Sequence, residues 1–215
     1  MRFKNREHAA ELLVERLRPS YKSKNPLVLG VPRGAVPMAK LIANALGGEL
    51  DVVLVHKLSH PGQPELAIGA IDELGNEFVN EWAANVDLIY LAAEKKRQLE
   101  ALRRRRAMYT PLRAPIDLAG RIVIVVDDGI ATGSTLTAAL RAILAKKPKE
   151  LVGAVAVASP DAAQAMLHEC DAMECLKVAA EFYAVGQFFD DFGQVTDEDV
   201  IAILKQEKSK VSALG

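Results

Sequence analysis

Two spacings of apolar residues alternate along the 215-residue chain. The first is a short unbroken apolar run. PLVLGV spans Pro26 to Val31, DVVLV Asp51 to Val55, IVIVV Ile122 to Val126 and LVGAVAVA Leu151 to Ala158, with a less regular run from Ala172 to Val178. Runs of this length without polar alternation predict strands buried on both faces of a parallel sheet. The second spacing is helical. It predicts a helix from Asn5 to Leu17, with Asn5 as N-cap and Pro19 as its stop, and another from Met38 to Leu46, ended by Gly47 and Gly48. A long helix is expected from Asp87 to Met108, with Leu88, Leu91, Ala92, Leu99, Leu102 and Met108 on its core face. Leu136, Leu140, Ile143 and Leu144 predict a helix starting near Gly133; Ser159 and Pro160 open one through His168. A capping box, Thr196-Asp197-Glu198-Asp199, opens a last helix to about Lys208. Alternating strand and helix units predict one domain over 1–215: an α/β fold, an open, mainly parallel sheet with helices on both faces.

Two stretches break the alternation. Residues 58–86 hold prolines and glycines around a short apolar patch, and Asp72-Glu73-Leu74-Gly75-Asn76 reads as a hairpin turn between Ala67–Ile71 and Glu77–Asn80. A long excursion between core strands predicts a mobile lid. Residues 180–208 form a tail in which Phe182, Tyr183, Phe188, Phe189 and Phe192 concentrate before the final helix. Two readings of it stand: a hydrophobic clamp on the sheet edge, or a hood that stacks a ring on a ligand, with Phe182 and Tyr183 as base-binding candidates.

Composition narrows the class. With 50% hydrophobic and 26% charged residues and a net charge of −1, the chain reads as soluble and globular. Bulk attraction to nucleic acid or to a membrane surface is not expected. No run approaches membrane-spanning length, and MRFKNREHAAELL lacks the apolar core of a secretory signal. Two cysteines, Cys170 and Cys175, without a CxxC pair fit a reduced, cytoplasmic protein. Arg103 to Arg106 read first as a solvated helix end favoured by the dipole; nucleic-acid contact, or reach into a neighbouring subunit's phosphate site, are the sharper alternatives.

The chemistry concentrates after Val126. Asp127 and Asp128 stand at the strand's carboxyl end, followed by Gly129 and the small-residue loop Ala131, Thr132, Gly133, Ser134, Thr135. Such a loop entering a helix offers backbone N–H groups, hydroxyl donors and the positive dipole end to a phosphate. The two carboxylates suit what donates nearby: sugar hydroxyls, or a metal ion through its waters. Phosphate and vicinal hydroxyls side by side describe a ribose 5-phosphate. A P-loop is excluded, since no lysine follows Gly133, and the dinucleotide fingerprint lacks its third glycine. The first strand runs into a second small turn, Pro32-Arg33-Gly34, whose guanidinium and N–H groups suit a pyrophosphate. Lys57, expected at the end of the strand from Asp51 to Val55, is a second cation at the ligand edge; His56 reads as structural.

VVDDGIATGST resembles the phosphoribosyl pyrophosphate (PRPP) motif of type I phosphoribosyltransferases, and the VPRG, PELAIGA and FYAVGQ segments resemble a group of them with unsettled acceptor. The resemblance implies that Asp127 and Asp128 hold the ribose hydroxyls and that Ala131 to Thr135 cradle the 5-phosphate. It implies that Arg33, Gly34 and Lys57 bind pyrophosphate, on a turn that often carries a non-proline cis peptide. Asp127, Asp128, Arg33 and Lys57 are then the catalytic set, with Mg2+ held mainly by PRPP near the aspartates. The implied partners are PRPP and a small nitrogenous acceptor, in a homodimer, under a closing lid that excludes water. Enzymes for 6-oxopurines usually carry an Asp where Ala131 stands, which disfavours hypoxanthine and guanine. A PRPP-sensing regulator that keeps the fold and binds nucleic acid or protein is the competing class.

Overall fold

The structure is a computed structural model that describes residues 2–111 and 116–212, leaving the side chains of Pro64, Glu65 and 207–212 undescribed. A five-stranded parallel sheet runs in the order β2-β1-β6-β7-β8. Its strands are β1 (Leu27–Gly30), β2 (Glu49–Val52), β6 (Ile122–Asp127), β7 (Glu150–Ala158) and β8 (Ala172–Val178). The period-2 geometry of β6 feeds both faces: Ile122, Ile124 and Val126 join one hydrophobic cluster, Val123 and Val125 the other. That double burial is why the strand reads as an unbroken apolar run. On the first face lie α1 (Arg6–Tyr21), α2 (Val36–Leu46), α3 (Leu88–Tyr109) and α6 (Asp197–Ser212); on the second, α4 (Ser134–Leu144) and α5 (Pro160–Met166).

Caps follow the sequence. Asn5 accepts from the His8 N–H at 2.9 Å, Asp87 accepts from Ile89 and Tyr90, and Gly47 closes α2 at φ 70°. Thr196 and Asp199 make the expected reciprocal box, Asp199 N–H donating to Thr196 Oγ1 at 3.2 Å and Thr196 N–H to Asp199 Oδ2 at 2.9 Å. Pro19, however, lies inside α1 rather than ending it. A proline gives up the bond its own N–H would make and crowds the carbonyl four residues back, but the turn beyond it is anchored by buried Tyr21, whose hydroxyl donates to Glu150 at 2.8 Å. The long helix spans Leu88–Tyr109, but Leu88 and Met108 are exposed; its buried face is Leu91, Glu94, Leu102 and Tyr109. The helix of Ser159 stops at Met166, short of His168.

The strand expected over Asp51–Val55 divides into two. Its first half is β2; after Val53 and Leu54 the chain enters β3 (Val55–His60) of a second sheet. There β3 pairs antiparallel with β4 (Gln63–Asp72), which pairs with β5 (Glu77–Val79). The expected hairpin is therefore present, widened by a strand that takes up His56 and Lys57. Its turn is tied by Asp72, whose carboxylate accepts from the Leu74 and Asn76 N–H groups at 3.0 and 2.9 Å, with Gly75 at φ 91°. This sheet packs on α4 and α3. The aromatic tail returns to the N-terminus: Phe3 N–H donates to the Phe188 carbonyl at 2.8 Å, and Phe3, Phe189 and Phe192 stack in sequence.

Candidate active site

The chain reverses direction across the sheet between β1 and β6. From β1 it winds outward to β2; from β6 it winds the other way to β7 and β8. Ligands of open α/β sheets bind outside the carboxyl ends of strands at such a point. Two turns stand there. Pro32-Arg33-Gly34 follows β1, with a cis peptide between Pro32 and Arg33. Asp127 ends β6, and Asp128 to Gly133 lead into α4.

The two turns touch. A Cβ built on Gly34 would fall 2.3 Å from Asp128 Oδ2 and 3.1 Å from an Arg6 terminal nitrogen, so any side chain there would have to displace the Asp128–Arg6 pair. The Asp128 carboxylate accepts from Arg6 Nε at 2.8 Å. Arg6 also donates to the Gly193 carbonyl at 2.7 Å and lies 3.7 Å over the Phe192 ring. Asp127 accepts from the Asp128 N–H at 2.9 Å. Burial, then the neighbouring Asp128 charge, pushes the Asp127 carboxyl well above its ordinary range. Burial raises Asp128 as well, against the opposing pull of Arg6. Asp128 lines an open cleft of about 650 Å³.

The loop beyond them is held on β7. Ile130 N–H donates to Val157 at 2.9 Å, Ser159 N–H to Ile130 at 3.0 Å, and Ser159 Oγ to the Ala131 carbonyl at 2.6 Å. Gly133 caps α4 at φ 74°, a left-handed turn that glycine enters without strain. Ahead of the helix, the Thr132 and Ser134 hydroxyls meet at 3.1 Å. The first N–H groups of α4 follow at Ser134 and Thr135, as an anion site requires.

Arg33 reaches Asp197 of α6 at 3.5 Å, and Asp197 also accepts from the Tyr109 hydroxyl. Arg33, Gly34 and Asp128 therefore line one cleft. Lys57 lines neither that cleft nor the recess beside it, whose wall includes His56. It lies within β3, opposite Ala70, not at a core strand's end; neighbours on a strand face opposite ways, so His56 is the one turned to the recess. His56 bonds Gln98 of α3 at 2.7 Å, and burial lowers its pKa.

The base-binding candidates are also displaced. Phe182 packs on Phe188 at 5.0 Å, and Tyr183 is 86% exposed; the aromatic ring in the cleft wall is Phe192. Periodicity cannot choose among five tail aromatics. Arg6 carried a signal: a cation in the first turn of a helix opposes the dipole, so its position there calls for a partner.

Comparison with known proteins places this arrangement. The family model for the phosphoribosyl transferase domain matches residues 3–190. The protein belongs to the phosphoribosyltransferase family. Two Mycobacterium tuberculosis proteins, from strains CDC 1551 and H37Rv, carry the provisional description phosphoribosyl transferase; each is 39% identical over 99% of this chain. The chain spans about half, 48%, of the length of those relatives. The crystal structure of TT1426 from Thermus thermophilus superposes with a TM-score of 0.89 at 44% identity, covering 96% of this chain and 99% of that one.

Proposed function

We propose that the protein transfers the 5-phosphoribosyl group of PRPP to a nitrogenous base and releases pyrophosphate. The observation that carries this reading is the contact between the Gly34 turn and Asp128 at the sheet's reversal point, within reach of the α4 N-terminus. In this reading the loop Ala131 to Thr135 holds the 5-phosphate through N–H and hydroxyl donors, and Asp127 and Asp128 accept from the ribose hydroxyls. Arg33 and the Gly34 backbone take the pyrophosphate, neutralising charge as it leaves. Phe192, Arg6 and the tail form the acceptor's side of the cleft, and the small Ala131 places no carboxylate there, which disfavours 6-oxopurines.

Magnesium fits this donor set. The adjacent carboxylates of Asp127 and Asp128 are hard oxygen ligands, too few on their own for a full magnesium shell. PRPP would thus supply most of the coordination, and the ion would screen the pyrophosphate charge. We place the protein in the cytoplasm, in keeping with two free cysteines, and as a homodimer, for which the exposed Trp82, Leu88 and Ile89 offer apolar surface.

Calorimetric titration with PRPP, with and without magnesium, tests the core of this. Heat and a concentration-dependent rise in melting temperature are expected; neither at millimolar PRPP would sink the assignment. PRPP consumption against a panel of free bases then identifies the acceptor. Cell fractionation and light scattering test location and dimer, and a soluble monomer would remove the latter.

A further inference from the structure

The four arginines of α3 part company in the fold. Arg103 and Arg104 are exposed. Arg106 turns to Asp51 and Glu73. Arg105, about 100° from it around the helix, is half-buried on the face that carries Leu102 and Tyr109. That face meets the Pro32 turn. Arg105 lines both the large cleft, with Arg33 and Gly34, and a recess of about 180 Å³ beside it, with His56 and Thr135. Pro32 is the other residue common to the two.

Neighbouring groups register both guanidiniums. Burial and the Asp197 bond push the Tyr109 hydroxyl up, while the charges of Arg105 and Arg33 act against that rise. The Arg105 charge also adds to the lowering of His56 by burial. Two arginines from separate elements, β1's turn and α3, thus converge on one small backbone turn. A cleft lined by two cations suits a polyvalent anion.

We propose that Arg105 binds pyrophosphate across the cleft from Arg33, supplying the second cation of that site from within the same protomer. This rests on the PRPP reading for its reaction but can fail separately from it. The planar fork can bond two phosphate oxygens, and a flexible ammonium reproduces its charge but not that fork.

The test is calorimetric titration of inorganic pyrophosphate, ribose 5-phosphate and PRPP, each with magnesium, into wild type and the variants Arg105→Gln, Arg105→Lys, Arg103→Gln and Arg104→Gln. We expect Arg105→Gln to weaken pyrophosphate and PRPP by about tenfold to a hundredfold. Ribose 5-phosphate should bind unchanged, Arg105→Lys should recover part of the loss, and the Arg103 and Arg104 variants should match wild type. Melting temperatures show whether each variant is folded, and the Lys variant keeps the question open to test if Gln unfolds. Unchanged pyrophosphate affinity in Arg105→Gln, or equal losses in all four variants, would overturn the proposal while leaving PRPP binding intact. Wild type that binds pyrophosphate but not PRPP would instead remove the transferase reading; wild type that binds neither removes both.

Discussion

Two clusters in this protein share an ingredient list of one arginine and two carboxylates, and they are wired in opposite ways. In the first, Arg106 donates to both oxygens of Glu73, to Asp51 at 3.0 Å, to the Val52 carbonyl at 3.2 Å and to Thr110. Asp51 and Glu73 are 1% and 8% exposed, and Asp51 also accepts from the Val52 N–H. In the second, Arg6 gives one nitrogen to Asp128 and another to a carbonyl, and Asp127 takes only its neighbour's N–H among the bonds described above. The first cluster lies where the two sheets join and is saturated. In the second, Asp128 lines a cleft, and burial holds both carboxyls above their ordinary range. Satisfied charge holds parts together; unsatisfied charge is held ready for what arrives.

The contrast predicts different failures. Arg106→Met should cost the most, about 3–5 kcal/mol, because it strands two buried carboxylates. Urea denaturation measures it, and a loss under about 1 kcal/mol would mean the junction is held by apolar packing instead. Asp127→Asn and Asp128→Asn should do the reverse, lowering PRPP affinity by about one to two decades while leaving stability level or higher. The Asp127 variant should be the more stable of the two, since Asp128→Asn also dissolves the Arg6 pair. A large stability loss with PRPP affinity kept would make this cluster structural too.

A pH series sharpens the same point. Both aspartates have folded pKa values above the usual 3.8. Their contribution to stability is therefore fully present below the unfolded pKa and is lost as pH rises through the folded one. The stability advantage of Asp127→Asn over wild type should be greatest near neutrality and shrink toward about pH 4. An advantage that grows on acidification would contradict the sign. The smallest effect is expected for Arg33→Ala, whose guanidinium has a partner already in Asp197: pyrophosphate binding should weaken more than ribose 5-phosphate binding. Equal losses in titration would relocate the residue's role.

How far the sequence announced all this depended on how many faces a segment buries. The parallel strands were legible because Ile122 to Val126 have cores on both sides. The loop after them was legible because Asp127, Asp128 and Gly133 are adjacent in the chain. The boundary at Val53 was not: β2 and β3 are joined by buried Val53 and Leu54, so an apolar run continues across a change of sheet. Because the run hides that boundary, Lys57 reads as following a core strand when it lies within β3. The partners of Arg6, Arg105 and Phe192 were not legible, for a different reason. Their roles arise from approaches across long sequence separations, as between Arg6 and Gly193, and no local pattern records which of four successive arginines faces inward.

The glycine at position 34 carries a further consequence. β1 and β6 are adjacent strands in fixed register, Gly30 opposite Val126, with Val31 N–H donating to the Val126 carbonyl at 2.9 Å. The two turns therefore leave the sheet one strand spacing apart, about 4.8 Å, and Gly34 lets them close to contact. The sheet acts as a caliper whose jaws cannot be opened without breaking a ladder of backbone bonds. On the proposed reading, a ligand held by both turns would have to present its two anchoring groups across that fixed spacing, so its length would be selected along with its charge.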